Sequence, residues 1–395
     1  MTMGQLVREQ VLKGTFLTLF FICMSYVSVA APLSQLILHE KKSHFVGAEL
    51  TGVKWQGEEL ILDENGLNKG EGSIVSAVLK TTFPFNNVVP SWNCIAPPKT
   101  GIRVELRAGR GDDNWTDWYE ISQWGRNISA RGPGLKKSWH GYVDADTLEL
   151  YQEYDYIQYR VTLLSGDRVQ TPRVRRLGIV VVDKFKPGLQ NDQKSCKAWG
   201  KSLVVPYFSQ RVEEPSIAGR ICAPTSMTMV LNFFANNLQT KEVADLAYDA
   251  FNGIYGNWPY VAAVAGELGL KSYVTRFPDW RGVEEQIIKG YPVIISIRFG
   301  TNELKNSPIR SSNGHIIVVR GFTEDGQVIC NDPAAYGKAQ GQVVYDREEL
   351  RKAWSNGVAI ITEPETKAGI NPWYVLGGVA VGVITSILLW LLLNK

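Results

Sequence analysis

The stretch "GRICAPTSMTMVLNFF", residues 219 to 234, decides how the second half of the chain reads. Cys222 stands directly before an Ala-Pro-Thr entry into a helical pattern. Ala223, Met227, Val230, Leu231 and Phe234 fall on one face of a helix expected over 222–236. Pro224 suits the first turn, where a missing N–H is no loss. Cys222 is thereby placed among unpaired N–H groups at the positive end of the helix dipole. Such a position favours thiolate over thiol, and the thiolate is the nucleophile. Position alone leaves a second reading open, a small apolar residue at the start of a core helix.

On either side of this stretch the pattern is mixed. "TKEVADLAYDAF" places Val243, Leu246, Ala247 and Ala250 at helical spacing, and "RGVEEQIIKG" ends a further helix at Gly290. "YPVIISIRF" starts a strand after Pro292. "HIIVVRGF" and "QVICNDP" are strands divided by the turn "TEDG", and Asp346 with Glu349 opens a short helix in the manner of a capping box. "GVAIIT" closes the domain as a strand. Helices first and strands later predict an α+β domain over 201–366. Upstream, residues 45–185 read as β. "GIRVELRAG", "YIQYRVTLLS" and "RRLGIVVVD" carry strand patterns, broken by turn signals such as "RGPG" and "LSGD", which predicts an all-β antiparallel sandwich. The polar residues 186–200, with Pro187 and Gly188, read as a linker.

The ends address the chain to a membrane. Arg8 and Lys13 precede the apolar run "GTFLTLFFICMSYVSV", and Ser28 and Ala30 form a small-x-small site, so residues 1–30 read as a signal peptide. "WYVLGGVAVGVITSILLWLLL", residues 373–393, is uncharged and long enough to span a bilayer, with Trp373 and Trp390 as interface anchors. Together they predict a cell-membrane protein with a single C-terminal span and its folded part outside the cytoplasm. The net charge of +3 comes without runs of Lys or Arg, which argues against a nucleic-acid partner. Cys94, Cys196, Cys222 and Cys330 are too few to be a disulfide framework for a mature chain of this size.

His315, in "SSNGHIIVVRGF", is the lone histidine of the second domain, and a cysteine hydrolase needs a base within hydrogen-bond reach of sulfur. Asp332, 17 residues on, ends the next strand, and a hairpin returns it beside His315 to fix the imidazole. Gln210, in "VVPYFSQ", offers an amide that, with the Cys222 N–H, can hold an oxyanion. A satisfied core histidine and an ordinary Asn-Asp-Pro turn remain open readings of the separate pieces.

Taken in order, "LVVPYFSQ", "CAPTSMTMVLNFF", "KGYPVIISI" and "NGHIIVVRGFTEDGQVICNDP" resemble successive signature blocks of the bacteriocin-processing-like cysteine peptidases, family thirty-nine of the cysteine peptidases. The resemblance covers roughly residues 201 to 362. It implies a papain-like fold with Cys222 as nucleophile, His315 as general base and acid, Asp332 as orienting residue and Gln210 as oxyanion donor. Well-known members cut leader peptides after a double glycine and are fused to transporter modules; this chain has no P-loop and no multi-span region. It also departs at Ala223, where family members commonly have Gly, and a methyl group there is expected to narrow the approach to sulfur.

No C-x-x-C or H-x-x-x-H spacing calls for a metal, and no cofactor is implied. Cys330 reads as a buried apolar residue, with a disulfide to Cys222 as the rival reading. Trp92, Trp115, Trp118, Trp124 and Trp139 either fill the sandwich or grip a glycan or peptide, and packing is the favoured use. "NWT" at Asn114 and "NIS" at Asn127 match glycosylation sequons. The sequence thus predicts a membrane-anchored thiol peptidase acting on a peptide or protein. The alternatives are a surface binding protein that uses the sandwich for a glycan or cell-surface ligand, and a cell-wall amidase or endopeptidase of related fold.

Overall fold

A computed structural model gives the structure and describes residues 32–111, 114–126, 134–187 and 197–365. The signal peptide expected at 1–30, the membrane helix expected at 373–393, Asn127 and Cys196 lie outside the described residues. Among the described residues no helix is long and apolar enough to cross a membrane.

The first half is a twelve-stranded antiparallel sheet. β1 (Pro32–His39), β2 (Glu49–Thr51), β3 (Val53–Gln56) and β4 (Glu59–Leu62) precede a short helix, α1 (Glu64–Lys69). β5 (Glu71–Val75), β6 (Leu79–Ile95), β7 (Thr100–Arg110), β8 (Asn114–Trp115) and β9 (Tyr119–Gly125) follow. β10 (Gly141–Asp144), β11 (Thr147–Ser165) and β12 (Arg173–Pro187) complete it. Where the sequence predicts a sandwich of two sheets, the strands form one continuous, branched sheet. The reason is the length of β11. Its first part pairs with β10 and β6, and Tyr156–Ser165 pairs with β7 while Arg160–Leu164 pairs with β5 on the other side. Register shifts between Glu149 and Tyr156 mark where the strand turns from one partner to the next. Both wings share one core, with Val88, Ile102, Leu106, Ile121, Val161 and Ile179 essentially inaccessible.

Two domain boundaries shift. β1 lies before position 45, yet it pairs along β12 from Leu33–Asp183 to His39–Leu177, so the first domain begins at least as early as Pro32. β12 runs on to Pro187, into the stretch read as a linker. At the other end of that stretch, Trp199 forms a bridge to Phe322 and donates its Nε1–H to Glu284 Oε1 at 3.0 Å, so it already belongs to the second domain. Trp92 and Trp124 are core residues, whereas Trp115 and Trp118 each hold the Arg107 guanidinium 4.7 Å above their rings. Trp139 is 82% exposed.

The second half is α+β. It runs α2 (Cys222–Phe233), α3 (Thr240–Leu246), α4 (Trp258–Glu267), β13 (Lys271–Arg276), α5 (Arg281–Lys289), β14 (Val293–Phe299) and β15 (Ser312–Phe322). β16 (Val328–Asn331), α6 (Lys338–Gly341), β17 (Gln342–Tyr345), α7 (Arg347–Ala353) and β18 (Trp354–Glu363) end it. The six strands are antiparallel in the order β13-β18-β14-β15-β16-β17. α2 stops at Phe233, three residues earlier than expected, because Ala235 enters the left-handed region at φ 66°. Ala223 to Leu231 are all buried, and the Ser226 hydroxyl donates to Ile316 O at 3.0 Å, tying the helix to the middle strand of the sheet.

The halves are not separate beads. Asn93 on β6 donates Nδ2–H to Ser272 O at 2.7 Å and accepts Ser272 N–H at Oδ1 at 3.1 Å, so its amide acts as a strand partner for β13. Tyr260 on α4 meets Trp92 and Trp124 edge to face, with ring centroids 5.8 and 5.4 Å away, and donates its hydroxyl to Gln123 O. One apolar cluster runs from Val88 and Trp92 through Ala262 and Val264 to Val230 and Ile316. α4 lies so close that a Cβ on Gly266 would stand 2.5 Å from Asn93 Nδ2.

Candidate active site

Cys222 opens α2, half-buried, with no side chain capping the helix. Its helix packs on β15, which carries His315, and β15 pairs with β16, whose end delivers Asp332. His315 is 3% exposed and Asp332 is fully buried. The imidazole Nε2 lies 2.8 Å from Asp332 Oδ1. That leaves Nδ1 for the sulfur of Cys222, which interacts with His315 and with the Ile316 N–H.

The electrostatics favour an ion pair. Burial opposes a charged imidazole, but the Asp332 carboxylate, joined by Cys222, outweighs it and raises His315 to about 10. Burial likewise opposes the thiolate, yet the His315 hydrogen bond, its charge and the Ile316 N–H hold Cys222 below the ordinary thiol value, against a smaller repulsion from Asp332. Asp332, which burial alone would raise, is lowered by His315, by the Ala334 N–H at 2.9 Å and by the Tyr345 hydroxyl at 2.7 Å. A thiolate beside an imidazolium is a nucleophile at neutral pH with its proton donor already in place.

The turn that carries Asp332 is clasped by the "LVVPYFSQ" stretch. Tyr207 donates its hydroxyl to Asp332 O and Ala335 O at 3.1 and 2.8 Å, and Gln210 N–H donates to Pro333 O at 3.0 Å. Gln210 itself is 3% exposed in a one-turn 3-10 helix. Its Nε2 donates to Ala218 O at 2.7 Å, in the loop just before Cys222, and Oε1 is buried without a partner.

Ala223 is fully buried in the core and is not among the residues that line the cavity over Cys222. Cys330 is a buried free thiol, pushed up by burial first and by Asp332 second, and no disulfide joins it to Cys222. Tyr345 escaped the sequence reading, because a tyrosine ending the apolar run "QVVY" looks like any strand residue. Its only signal is that β17 pairs with the strand that delivers Asp332.

A cavity of about 670 Å3 opens over Cys222. Gly219 and Arg220, Trp258, Arg276, Ser296 and Gly314 line it, together with the β10–β11 turn of the first domain.

Two family profiles match the chain. The Peptidase C39 like family covers residues 202–359, and the Peptidase C39 N-terminal domain covers 41–182. The second domain is a C39-like peptidase domain. It is a cysteine-type peptidase. Among solved structures it is similar to a double-glycine-motif protease of an AMS/PCAT transporter in complex with a leader peptide. The identity is 22%, covering 42% of this chain and 94% of that one, with a TM-score of 0.28. A C39-like peptidase from Bacillus anthracis is 19% identical over 42% of this chain and 99% of that one, with a TM-score of 0.32. The Emp46p carbohydrate recognition domain is 8% identical over 38% of this chain and 93% of that one, with a TM-score of 0.20. A comparison with curated proteins gave no match.

Proposed function

We propose that this C39-like peptidase is membrane-anchored, with its catalytic domain outside the cytoplasm, and hydrolyses peptide bonds through Cys222, His315 and Asp332. His315 holds the proton taken from Cys222. The thiolate attacks the scissile carbonyl, and the Cys222 N–H with the free Nε2–H of Gln210 receives the oxyanion. The imidazolium then protonates the departing amine as the C–N bond breaks, leaving a thioester on Cys222. Water, deprotonated by His315, hydrolyses the thioester and restores the thiol. Asp332 keeps Nε2 protonated and the ring in place throughout.

The observation that carries this reading is the 2.8 Å His315–Asp332 bond behind a cysteine whose thiol is lowered by that same histidine. The apolar segments at 1–30 and 373–393 support the anchorage and the side of the membrane. Alkylation by iodoacetamide at pH 7 tests the nucleophile: wild type should label at Cys222 at least about tenfold faster than His315→Ala. Equal rates would remove the activated thiolate and the mechanism with it. Digestion of purified muropeptides separates a cell-wall amidase from a peptidase acting on ordinary peptides. The exposed Trp139 favours one further reading, a glycan site on the first domain, which glycan-array binding by the Cys222→Ala protein would test.

A further inference from the structure

The first domain supplies a wall of the cleft. Asp144 and Thr147 close the β10–β11 hairpin, and the residues from Asp144 to Thr147 line the same cavity as Cys222. Ala145, inside the turn, holds φ at 51°. Asp146 beside it is 5% exposed, and its Oδ2 has no hydrogen-bond partner. The other oxygen accepts the neighbouring Thr147 hydroxyl at 3.2 Å, and the Trp258 N–H and the residue's own N–H also act on the carboxyl.

A buried carboxylate oxygen left unpaired is costly, and native proteins pair the large majority of such groups. Burial pushes Asp146 up to about 7; the Thr147 hydroxyl and Trp258 N–H pull it down, and nearby Asp249 pushes it further up. Asp249 is itself fully engaged by Phe251 and Asn252 N–H groups and by the Asn252 and Asn257 amides, so it adds negative field and accepts nothing more from this side. Arg276, which also lines the cavity, donates to Asn356 O at 3.3 Å and to Asn87 at 3.5 Å and leaves Nε without a partner; its charge is felt at Asp146, but no hydrogen bond joins the two. Among the described residues no donor reaches Oδ2, and the acceptor stays vacant at the wall of the cleft.

We propose that Asp146, carried into the cleft by the first domain, is a specificity-determining residue that receives a basic side chain of the peptide substrate. This rests on the reading of Cys222 as the nucleophile of that cleft. The first domain is then part of the peptidase site and not an attached module. A substrate lysine or arginine would fill the vacant acceptor and bring Asp146 to its ionised form through a charge-assisted hydrogen bond.

The test uses the full-length protein and a set of peptidyl vinyl sulfones that alkylate Cys222. The probes differ at one position at a time, carrying lysine, norleucine or glutamate, and labelling rates are read by mass spectrometry. At one position lysine should label about tenfold or more faster than norleucine, and Asp146→Asn should bring the ratio to within about twofold of one. Circular dichroism and the thermal unfolding midpoint of that variant report that it has folded. Labelling of wild type with no lysine preference at any position, or with a glutamate preference, overturns the subsite and leaves the peptidase reading standing. No labelling by any probe overturns both.

Discussion

Asp332→Asn removes a charge and keeps the contacts. Oδ1 of Asp332 accepts from both His315 Nε2 and Ala334 N–H, and Oδ2 accepts from the Tyr345 hydroxyl. An amide oxygen in the Oδ1 place keeps the first two bonds, and Tyr345 rotates its hydroxyl to accept from the new NH2 group. What is lost is attraction between two unit charges 2.8 Å apart. At an effective dielectric of about 20 that is roughly 6 kcal/mol, or about 4 pH units at roughly 1.4 kcal/mol each. The size agrees with His315 standing at about 10 and not at its ordinary 6.5. Without the carboxylate, only Cys222 is left to favour the imidazolium against burial, and His315 falls well below 10. The assay is the rate of Cys222 alkylation by iodoacetamide from pH 4 to 11. Wild type should show a reactive plateau that begins below the ordinary thiol range and a second step near 10, where the imidazolium gives up its proton. Asp332→Asn should lose the plateau, rise once at higher pH, and react about tenfold or more slowly at pH 7. Superimposable profiles would refute the electrostatic account of the site.

Gln210→Ala should slow acylation by a peptide ester about 100-fold, yet leave iodoacetamide alkylation, which builds no oxyanion, within about threefold. Parallel losses in both assays would make Gln210 a structural residue only. Tyr345→Phe withdraws a donor from a buried carboxylate and should cost about 1.5–3 kcal/mol in urea unfolding; a loss under about 0.5 kcal/mol would show the bond to be dispensable. Asn93→Ala strips the Ser272 backbone N–H and C=O of their side-chain partner and should cost about 2–4 kcal/mol, splitting the calorimetric transition in two, whereas a single unshifted peak would count against the interface. Stability should also depend on pH in a coupled way. The fold holds a proton on His315 up to about 10 that the unfolded chain releases near 6.5, so His315 alone lowers stability as pH rises through that window. Once Cys222 has ionised it offsets this up to 9, where the unfolded thiol ionises too, and wild type should lose only about 1.4 kcal/mol between 9 and 10. In Cys222→Ala the decline should start near 6.5, and an identical pH dependence of the two proteins would exclude the ion pair.

The site was more legible than its frame. Cys222 and Asp332 show in the sequence because they sit where an element starts or stops, beside Pro224 and Pro333, and His315 because it follows Gly314 at the head of an apolar run; such punctuation survives in one dimension. Tyr345 and Asp146 lie within a strand and in a hairpin turn, and nothing local separates them from ordinary residues. α4 went unread for a different reason. From Pro259 to Gly266 every residue is buried, so it has no polar face and no helical period to detect. The continuity of the two cores was hidden as well, since Asn93 and Tyr260 become partners of Ser272, Trp92 and Trp124 only in three dimensions. The branched sheet could not be read because the strand pattern reports which residues face inward and says nothing of a 19-residue strand changing neighbours midway.

The clasp of Asn93 on Ser272 and of Tyr260 between two tryptophans reaches beyond the resting molecule. Should a foreign protease sever the chain anywhere between Pro187 and Lys197, the pieces would remain paired and the cut would go unnoticed by the thiol. The catalytic portion, expressed by itself, would meet water with a sticky flank in place of a finished surface. Inheritance is bound by the same adhesion: recombination cannot graft this peptidase onto a new front end without rebuilding the face that α4 presents.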